Sequence, residues 1–228
     1  MLKLISSMAT RQVLAELAEA WQKVSGVAVV IESVGGVDAA KRVQAGEAFD
    51  GVVLASDAID KLVSGGQALT GSRVDLVRSS VAVAVKAGAP QPDISTEALL
   101  RSAIEAAPTI GYSTGPSGVA LVKLFERWGM TATLASRIVQ APPGVPVGEL
   151  VARGDVALGF QQLSELMHLH GISVLGNLPE AVSITTIFSA AICTASSQGE
   201  MLERLLAFMA SAQADPVKRR HGMEPAAA

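Results

Sequence analysis

Three segments of the sequence place small and hydroxyl-bearing residues between an expected strand and an expected helix. They are Ser6-Ser7-Met8-Ala9-Thr10, Ser33-Val34-Gly35-Gly36-Val37-Asp38 and Ser113-Thr114-Gly115-Pro116-Ser117-Gly118. The first turn of a helix has unpaired backbone N–H groups and the positive end of the helix dipole. Serine and threonine add hydroxyl donors, and glycine lets a ligand approach the backbone. Each segment can therefore bind an anion, although each also fits an ordinary capped helix start.

Three such segments in one chain are stronger evidence for a ligand site than any one of them alone. Loops that follow the carboxyl ends of strands converge in α/β folds, so the three segments predict a shared polar ligand of anionic character. The residues from these segments that we expect to contact the ligand are Ser6, Ser7, Gly35, Gly36, Ser117 and Gly118.

One segment also matches the Gly-x-Ser-x-Gly turn of serine hydrolases, with Ser113 as the nucleophile. The acid of a triad would be Asp155. The base would be one of the histidines His168, His170 and His221. However, Pro116 and Ser117 delay the helix that should follow the nucleophile at once, and no loop for oxyanion binding is recognisable. A serine hydrolase therefore ranks as the third alternative.

The chain has a single cysteine, Cys193, which excludes an internal disulfide and any metal site with several cysteines. It lies in an apolar run, which is typical of a buried structural thiol. His168 and His170 are two residues apart and point in different directions on a strand or a helix, so local metal ligation is not expected. No Walker A motif and no glycine-rich dinucleotide motif follows the first strand. We expect neither a metal nor an organic cofactor.

The amino-acid composition excludes some classes of binding partner. The 228 residues are 50% hydrophobic and 17% charged, a mixture typical of folded globular proteins. Eighteen basic residues against 21 acidic ones give a net charge of −3, which lacks the positive field that nucleic acids require. No apolar stretch reaches the roughly 18 to 20 residues of a membrane-spanning helix. We therefore expect no nucleic acid partner and no membrane insertion.

Short apolar runs alternate with segments of helical periodicity along the chain. The runs predict strands at residues 2–5, 27–31, 52–54, 81–85, 109–112, 156–160, 172–175 and 184–188. Apolar stripes at helical spacing, which we expect in the core, are Val13, Leu14, Leu17 and Trp21, then Leu121, Leu124, Phe125 and Trp128, and finally Leu202, Leu205, Leu206 and Met209. The alternation predicts an α/β fold.

Several motifs occur in a fixed order over nearly the whole chain. They are Ile5-Ser6-Ser7, Glu47-Ala48-Phe49-Asp50-Gly51-Val52-Val53-Leu54-Ala55-Ser56-Asp57, Val83-Ala84-Val85-Lys86-Ala87-Gly88-Ala89-Pro90, Pro116-Ser117-Gly118, Val151-Ala152-Arg153-Gly154-Asp155-Val156-Ala157-Leu158-Gly159 and Gly222-Met223-Glu224-Pro225. Their order and spacing resemble the type 2 periplasmic binding protein fold, in particular the molybdate-binding-protein-like solute receptors of ABC transporters.

The resemblance implies two α/β lobes with a ligand cleft between them. The first lobe would comprise residues 1–81 and 184–228, and the second would comprise residues 82–183. Closure on the ligand would be a hinge motion, with hinges near Ser80 and Ser183.

The departures from the family pattern bear on the ligand. Oxyanion-binding members have a serine at the second ligand loop, where this chain has Gly35 and Gly36, and a tyrosine after the fourth strand motif, where it has Gln161-Gln162-Leu163-Ser164-Glu165. The amide of Gln162 donates and accepts, which favours a ligand that combines carboxylate and hydroxyl groups. Arg78 could bind a carboxylate through two parallel hydrogen bonds, although a surface arginine is the other interpretation.

The run Gly159-Phe160-Gln161-Gln162-Leu163-Ser164-Glu165-Leu166 also resembles the aconitate isomerase branch, which uses this fold as an enzyme. The implied function is a cofactor-free isomerase of a tricarboxylic acid. Such an enzyme needs a group that accepts and returns a proton, and groups that stabilise an enolate-like intermediate. Glu165 and Glu32 are the candidate bases, and each also fits a structural or solvated carboxylate.

The leading hypothesis is a receptor that captures a small anion, an organic carboxylate or an oxyanion, and the isomerase is the alternative. The partners expected are the anionic ligand and, for a receptor, an ABC transporter permease. We expect a monomer. The apolar run at residues 1–7 is shorter than a signal-peptide core, so the expected location is periplasmic if a leader peptide has been removed and cytoplasmic otherwise.

Overall fold

The computed structural model of the protein describes residues 1–226. The strands are β1 (Leu2–Ser7), β2 (Val29–Val34), β3 (Gly51–Ala55), β4 (Val74–Lys86), β5 (Ile110–Tyr112), β6 (Ile138–Gln140), β7 (Leu158–Gln162), β8 (Ile172–Asn177), β9 (Thr185–Ile192) and β10 (Met223–Pro225). The α-helices are α1 (Arg11–Ser25), α2 (Gly36–Gln44), α3 (Ser56–Ser64), α4 (Glu97–Ala106), α5 (Pro116–Arg127), α6 (Thr131–Leu134), α7 (Val147–Arg153), α8 (Leu163–Leu166), α9 (Gly199–Ala210) and α10 (Asp215–Arg220). This alternation confirms the predicted α/β fold.

The chain divides into two compact units. The first unit consists of Met1–Ser79 and the described residues from Thr186 onward, and the second unit is the uninterrupted segment Ser80–Thr185. Strand β4 runs out of the first unit into the second, and β9 returns to the first. The second unit is thus an insertion into the sequence of the first.

The two ends of the second unit are joined to each other by hydrogen bonds. The backbone N–H of Val81 donates to the carbonyl oxygen of Ile184 at 2.9 Å. The hydroxyl oxygens of Ser80 and Thr185 lie 3.3 Å apart. The chain therefore enters and leaves this unit at one place.

In the first unit the strand order is β2-β1-β3-β9-β4, and β10 is antiparallel to β4. Strand β1 is parallel to both of its neighbours, so that Ser6 lies opposite Ser33 of β2 and Val53 of β3. Parallel neighbours require crossover connections, which α1 and α2 supply. The carboxyl ends of β1, β2 and β3 consequently lie at the same edge of the sheet.

The sheet of the first unit is covered by apolar side chains on both faces. Leu2 and Leu4 of β1 pack with the apolar stripes of α1 and α9, whereas Ile5 packs on the other face with α2 and α3. The stripes predicted for α1 and α9 are confirmed as core, since all eight side chains are buried. Each such leucine contributes roughly 1.5 to 3 kcal/mol through burial.

In the second unit the strand order is β8-β4-β7-β5-β6. Strands β7, β5 and β6 are parallel, and Tyr112 of β5 lies opposite Phe160 of β7 and Gln140 of β6. The carboxyl ends of these three strands therefore share an edge. Helix α5 packs on this sheet through Phe125. The ring centroids of Phe125 and Phe160 lie 6.4 Å apart, and the two rings are in an edge-to-face arrangement.

Each of the eight predicted strand segments overlaps a strand of the structure, but the bounds differ. Strand β4 begins seven residues before its predicted segment, at Val74, and the three-residue strands β6 and β10 lie outside every predicted segment. Among residues 1–226, the helices are all too short or too polar to cross a membrane.

Candidate functional site

The first unit gathers four hydroxyl side chains at the carboxyl ends of β1 and β2. The hydroxyl oxygens of Ser6 and Ser33 share a hydrogen bond of 2.8 Å, and Ser6 is completely buried. The hydroxyl of Thr10 donates to the carbonyl oxygen of Ser7 at 3.1 Å. The hydrogen bond between Ser6 and Ser33 thus joins the ends of β1 and β2.

Ser7 begins the turn Met8–Thr10 that leads into α1, yet its hydroxyl makes no capping hydrogen bond. Its hydroxyl oxygen lies 3.4 Å from that of Thr10, at the long end of the hydrogen-bond range. Because Thr10 donates its own proton to the Ser7 carbonyl oxygen, the Ser7 hydroxyl is the donor in this long contact, and a ligand oxygen can replace Thr10 as its acceptor.

The start of α2 lies beside Ser7. A Cβ atom added at Gly36 would stand 3.6 Å from the Cβ of Ser7, so glycine keeps the space above this serine open. Gly35 occupies the capping position of α2, and the N–H groups of the first turn of the helix have no partner within the helix. Asp38 is the acidic residue of that turn and is exposed.

The second unit carries the matching arrangement at the end of β5. Ser117 stands in the first turn of α5, is 5% exposed, and shares a hydrogen bond of 3.1 Å with the hydroxyl of Ser113. A Cβ at Gly118 would lie only 1.8 Å from the carbonyl oxygen of Ser113. Gly118 therefore has a packing role, because it lets residues 113–115 rest directly on the helix.

Strand β7 ends beside β5 in two buried amides, Gln161 and Gln162. The side-chain oxygen of Gln161 accepts from the N–H of Gly148 at 3.2 Å, and its nitrogen donates to Glu165 at 2.9 Å. Gln162 takes the capping position of α8 without a capping bond from its side chain. Gln161 was not among the predicted ligand contacts, although two adjacent amides at the end of an apolar strand were a visible signal.

The two carboxylates considered as bases have opposite environments. Glu165 is half-buried, and burial raises its pKa to about 7 although the hydrogen bond from Gln161 acts in the other direction. Glu32 is exposed and pairs with the guanidinium of Arg42 at 2.5 Å, which holds the pKa of Glu32 below its ordinary value. Of these two carboxylates, Glu165 is the one whose pKa lies near neutral pH.

Arg78 lies on β4 in the first unit, exposed and opposite Glu224 in the ladder between β4 and β10. The described contacts place it in this ladder and not in the hydroxyl cluster of Ser6, Ser7, Thr10 and Ser33. Its role toward a ligand stays a prediction.

The serine and the acid considered for a hydrolase triad each pair with another side chain. In the described part of the chain, the hydroxyl of Ser113 hydrogen-bonds another hydroxyl, that of Ser117. Asp155 pairs with Arg153 at 2.9 Å. Cys193 is no alternative nucleophile, because burial and the charge of Asp50 raise the pKa of its thiol to about 12.

Comparison with known proteins identifies the family. The sequence profile described as bacterial extracellular solute-binding protein matches residues 2–224. An aconitate isomerase from Pseudomonas sp. is 36% identical over 98% of this chain and 87% of its own length.

Solved structures of the same architecture include the periplasmic molybdate-binding protein of Azotobacter vinelandii. Its TM-score to this chain is 0.80, its sequence is 22% identical, and the match covers 98% of each chain. PEB3 of Campylobacter jejuni in its L-phospholactate-bound form has a TM-score of 0.77 at 13% identity, over 98% of this chain and 99% of that one. The predicted periplasmic-binding-protein fold is thereby confirmed. The profile match over nearly the full length also shows that this chain belongs to the bacterial extracellular solute-binding proteins.

Proposed function

We propose that this solute-binding protein captures a small organic anion with carboxylate groups. The observation that carries the proposal is the repeated arrangement in the two units. In each, hydroxyls at a strand end stand beside the first turn of a helix of nine residues or more, Ser7 beside α2 and Ser117 within α5. Each arrangement offers hydrogen-bond donors and a positive helix end to a negative ligand.

The arrangement in the second unit favours an organic acid over a bare oxyanion. A tetrahedral oxyanion only accepts hydrogen bonds from a protein, so donors alone serve it best. Here Gln162 brings an acceptor as well as a donor, which suits an organic acid that carries a hydroxyl group beside its carboxylates. Glu165 adds a carboxyl group whose pKa is about 7. Two of the relatives support this choice, because the names of PEB3's ligand and of the isomerase's substrate are both those of carboxylic acids, whereas the Azotobacter vinelandii protein is named for molybdate.

A second candidate function is the isomerisation of a tricarboxylic acid such as aconitate. The 36% identity to an aconitate isomerase, over 98% of the chain, favours it. The base would be Glu165 and not Glu32, because the ion pair with Arg42 keeps Glu32 ionised and weakly basic. The donors at Ser117 and the first turn of α5 would stabilise the negative charge of an enolate-like intermediate.

A thermal-shift screen followed by NMR tests both functions. The purified chain is heated with molybdate, tungstate, sulfate, phosphate, citrate, cis-aconitate and trans-aconitate, since a ligand that binds only the folded protein raises its melting temperature. We expect stabilisation by the carboxylates and little by the inorganic ions. Stabilisation by molybdate alone would contradict the carboxylate proposal.

Each aconitate is then incubated with the protein and followed by proton NMR. Stabilisation without conversion supports a receptor. In that case we propose a periplasmic location and an ABC transporter permease as the partner, with a monomer as the ligand-binding form. Conversion of one aconitate isomer into the other supports the isomerase and contradicts a purely receptor role.

A further inference from the structure

Glu165 is a half-buried carboxylic acid in the second unit whose described partner is neutral. It stands in α8, directly after β7, at the edge where the neighbouring strand β5 leads into the Ser113 and Ser117 hydroxyls. Its oxygen Oε1 accepts one hydrogen bond, from the side-chain nitrogen of Gln161 at 2.9 Å. Among residues 1–226 no guanidinium pairs with Glu165, whereas that of Arg42 pairs with Glu32.

The backbone of α7 determines which end of the Gln161 amide faces Glu165. The backbone N–H of Gly148 can only donate, so the oxygen of Gln161 must face it, at 3.2 Å. The NH2 group of Gln161 must then face Glu165. Gln161 is buried and held at both ends, which makes it a fixed donor that stabilises the ionised form of Glu165.

The elements packed against α8 bring few charges toward Glu165. Strands β7 and β8 contain no ionisable side chain, and β4, which packs on α8 through Ala82 and Ala84, ends in the exposed Lys86. Helix α7 carries Glu149, which is exposed, and Arg153, which pairs with Asp155. His168 and His170 follow α8 and are exposed. The pKa of Glu165, about 7, results from burial opposed by the Gln161 hydrogen bond.

We propose that the protein takes up one proton at Glu165 when it binds its anion. The inference rests on the proposed receptor function, not on the isomerase in which Glu165 is an ionised base, and it names the group that regulates anion binding. An anion held by Ser117 and Gln162 lies on the same strand edge as Glu165, so its charge disfavours the ionised carboxylate. The protonated carboxyl group, in contrast, can donate its O–H to a ligand oxygen. Glu165 therefore admits the anion in its neutral form and repels it in its ionised form.

This coupling gives affinity a defined pH dependence. Below the pKa of about 7 the carboxyl group is already neutral, and the dissociation constant should be flat. Above it, a proton must be bound together with the ligand, and the dissociation constant should rise about tenfold per pH unit. Between pH 6 and pH 9 the expected loss of affinity is about 100-fold.

Isothermal titration calorimetry with propane-1,2,3-tricarboxylate tests the proposal. This probe has no double bond to shift, so turnover does not disturb the measurement. Titrations in buffers of different ionisation enthalpy count the protons taken up, and at pH 8 we expect close to one per ligand. The variant Glu165→Gln should bind the probe as the unaltered protein does at pH 6, without the extra proton and without the loss of affinity at pH 9.

The matched control is Glu149→Gln, which removes an exposed carboxylate from the adjacent helix and should keep the proton uptake. Differences between variants cancel the titration of the probe itself. In a second variant, Gln161→Leu, the donor that lowers the pKa of Glu165 is lost, so the midpoint of the pH profile should move upward.

The outcomes separate the two proposals. Binding without proton uptake, or uptake that persists in Glu165→Gln, overturns the role of Glu165 and leaves the carboxylate ligand standing. No binding of the tricarboxylate or of citrate at pH 6 overturns the proposed ligand class, and the inference with it.

Discussion

Replacing Ser7 by alanine should weaken anion binding while the fold stays nearly unchanged. The Ser7 hydroxyl caps no helix, and its nearest described hydroxyl, that of Thr10, is 3.4 Å away. The hydrogen bond from Thr10 to the Ser7 carbonyl oxygen survives the change, because its acceptor is a backbone atom. The free energy of unfolding should therefore fall by only about 0.5 kcal/mol, the low end for one hydrogen bond.

The effect on binding should be larger than the effect on folding. A hydrogen bond from a neutral donor to a charged group contributes about 1.5 to 3 kcal/mol. Its loss should raise the dissociation constant of the anion about 10- to 150-fold. Gly36 leaves the space above Ser7 open, so the alanine variant introduces no clash that would add to this figure.

Calorimetric titration with the most stabilising carboxylate of the thermal screen measures the change. The control is Ser102→Ala, an exposed serine in α4 whose hydroxyl donates to the carbonyl oxygen of Ala98 at 3.1 Å. Both variants should unfold within a few degrees of the unaltered protein. An unchanged dissociation constant in Ser7→Ala would refute the reasoning and remove Ser7 from the site.

Three further predictions concern packing and pH. Gly118→Ala should lower the melting temperature strongly, because its Cβ would lie 1.8 Å from the Ser113 carbonyl oxygen; an unchanged value by scanning calorimetry would contradict this. Phe125→Ala should lower the free energy of unfolding in urea by about 3 to 5 kcal/mol, because the buried ring of Phe125 packs on Phe160. A loss under about 1 kcal/mol would contradict this packing role. The free energy of unfolding should decline as pH rises from 4.5 to about 7, because Glu165 holds its proton more tightly in the folded protein than in the unfolded chain. The decline should shrink in Glu165→Gln, and equal plots of unfolding free energy against pH for the two proteins would disprove this reasoning.

The regular elements could be predicted where the apolar pattern was long enough to show a period. The stripes of α1 and α9 have four residues each at helical spacing and lie in the core. Strands β6 and β10 have three residues each, too few for an alternation to be visible, and β10 ends in proline. The first half of β4 was missed because Asp75, Arg78 and two serines interrupt its apolar run.

The candidate site could be predicted in its residue types but not in its electrostatics. Hydroxyls and glycines at strand ends are visible in the sequence, because they follow apolar runs directly. Glu32 and Glu165 looked equivalent as bases, since both are single carboxylates in or after a strand. What separates them is tertiary packing, which brings Arg42 to Glu32 and buries Glu165 beside Gln161.

The hydrogen bonds that join the two ends of the second unit have a consequence for how the chain folds during synthesis. In the first unit, β3 pairs with β9, and Gly51 meets Ile192 across about 140 residues of chain. Closing so long a loop in an unfolded chain is entropically costly and slow. The second unit is one continuous segment that ends at the first residue of β9. Once the N–H of Val81 has bonded the carbonyl oxygen of Ile184, most of the loop between β3 and β9 is already closed. We therefore expect the inserted unit to fold first and to act as a template that brings the last strands of the chain to the sheet made at its beginning.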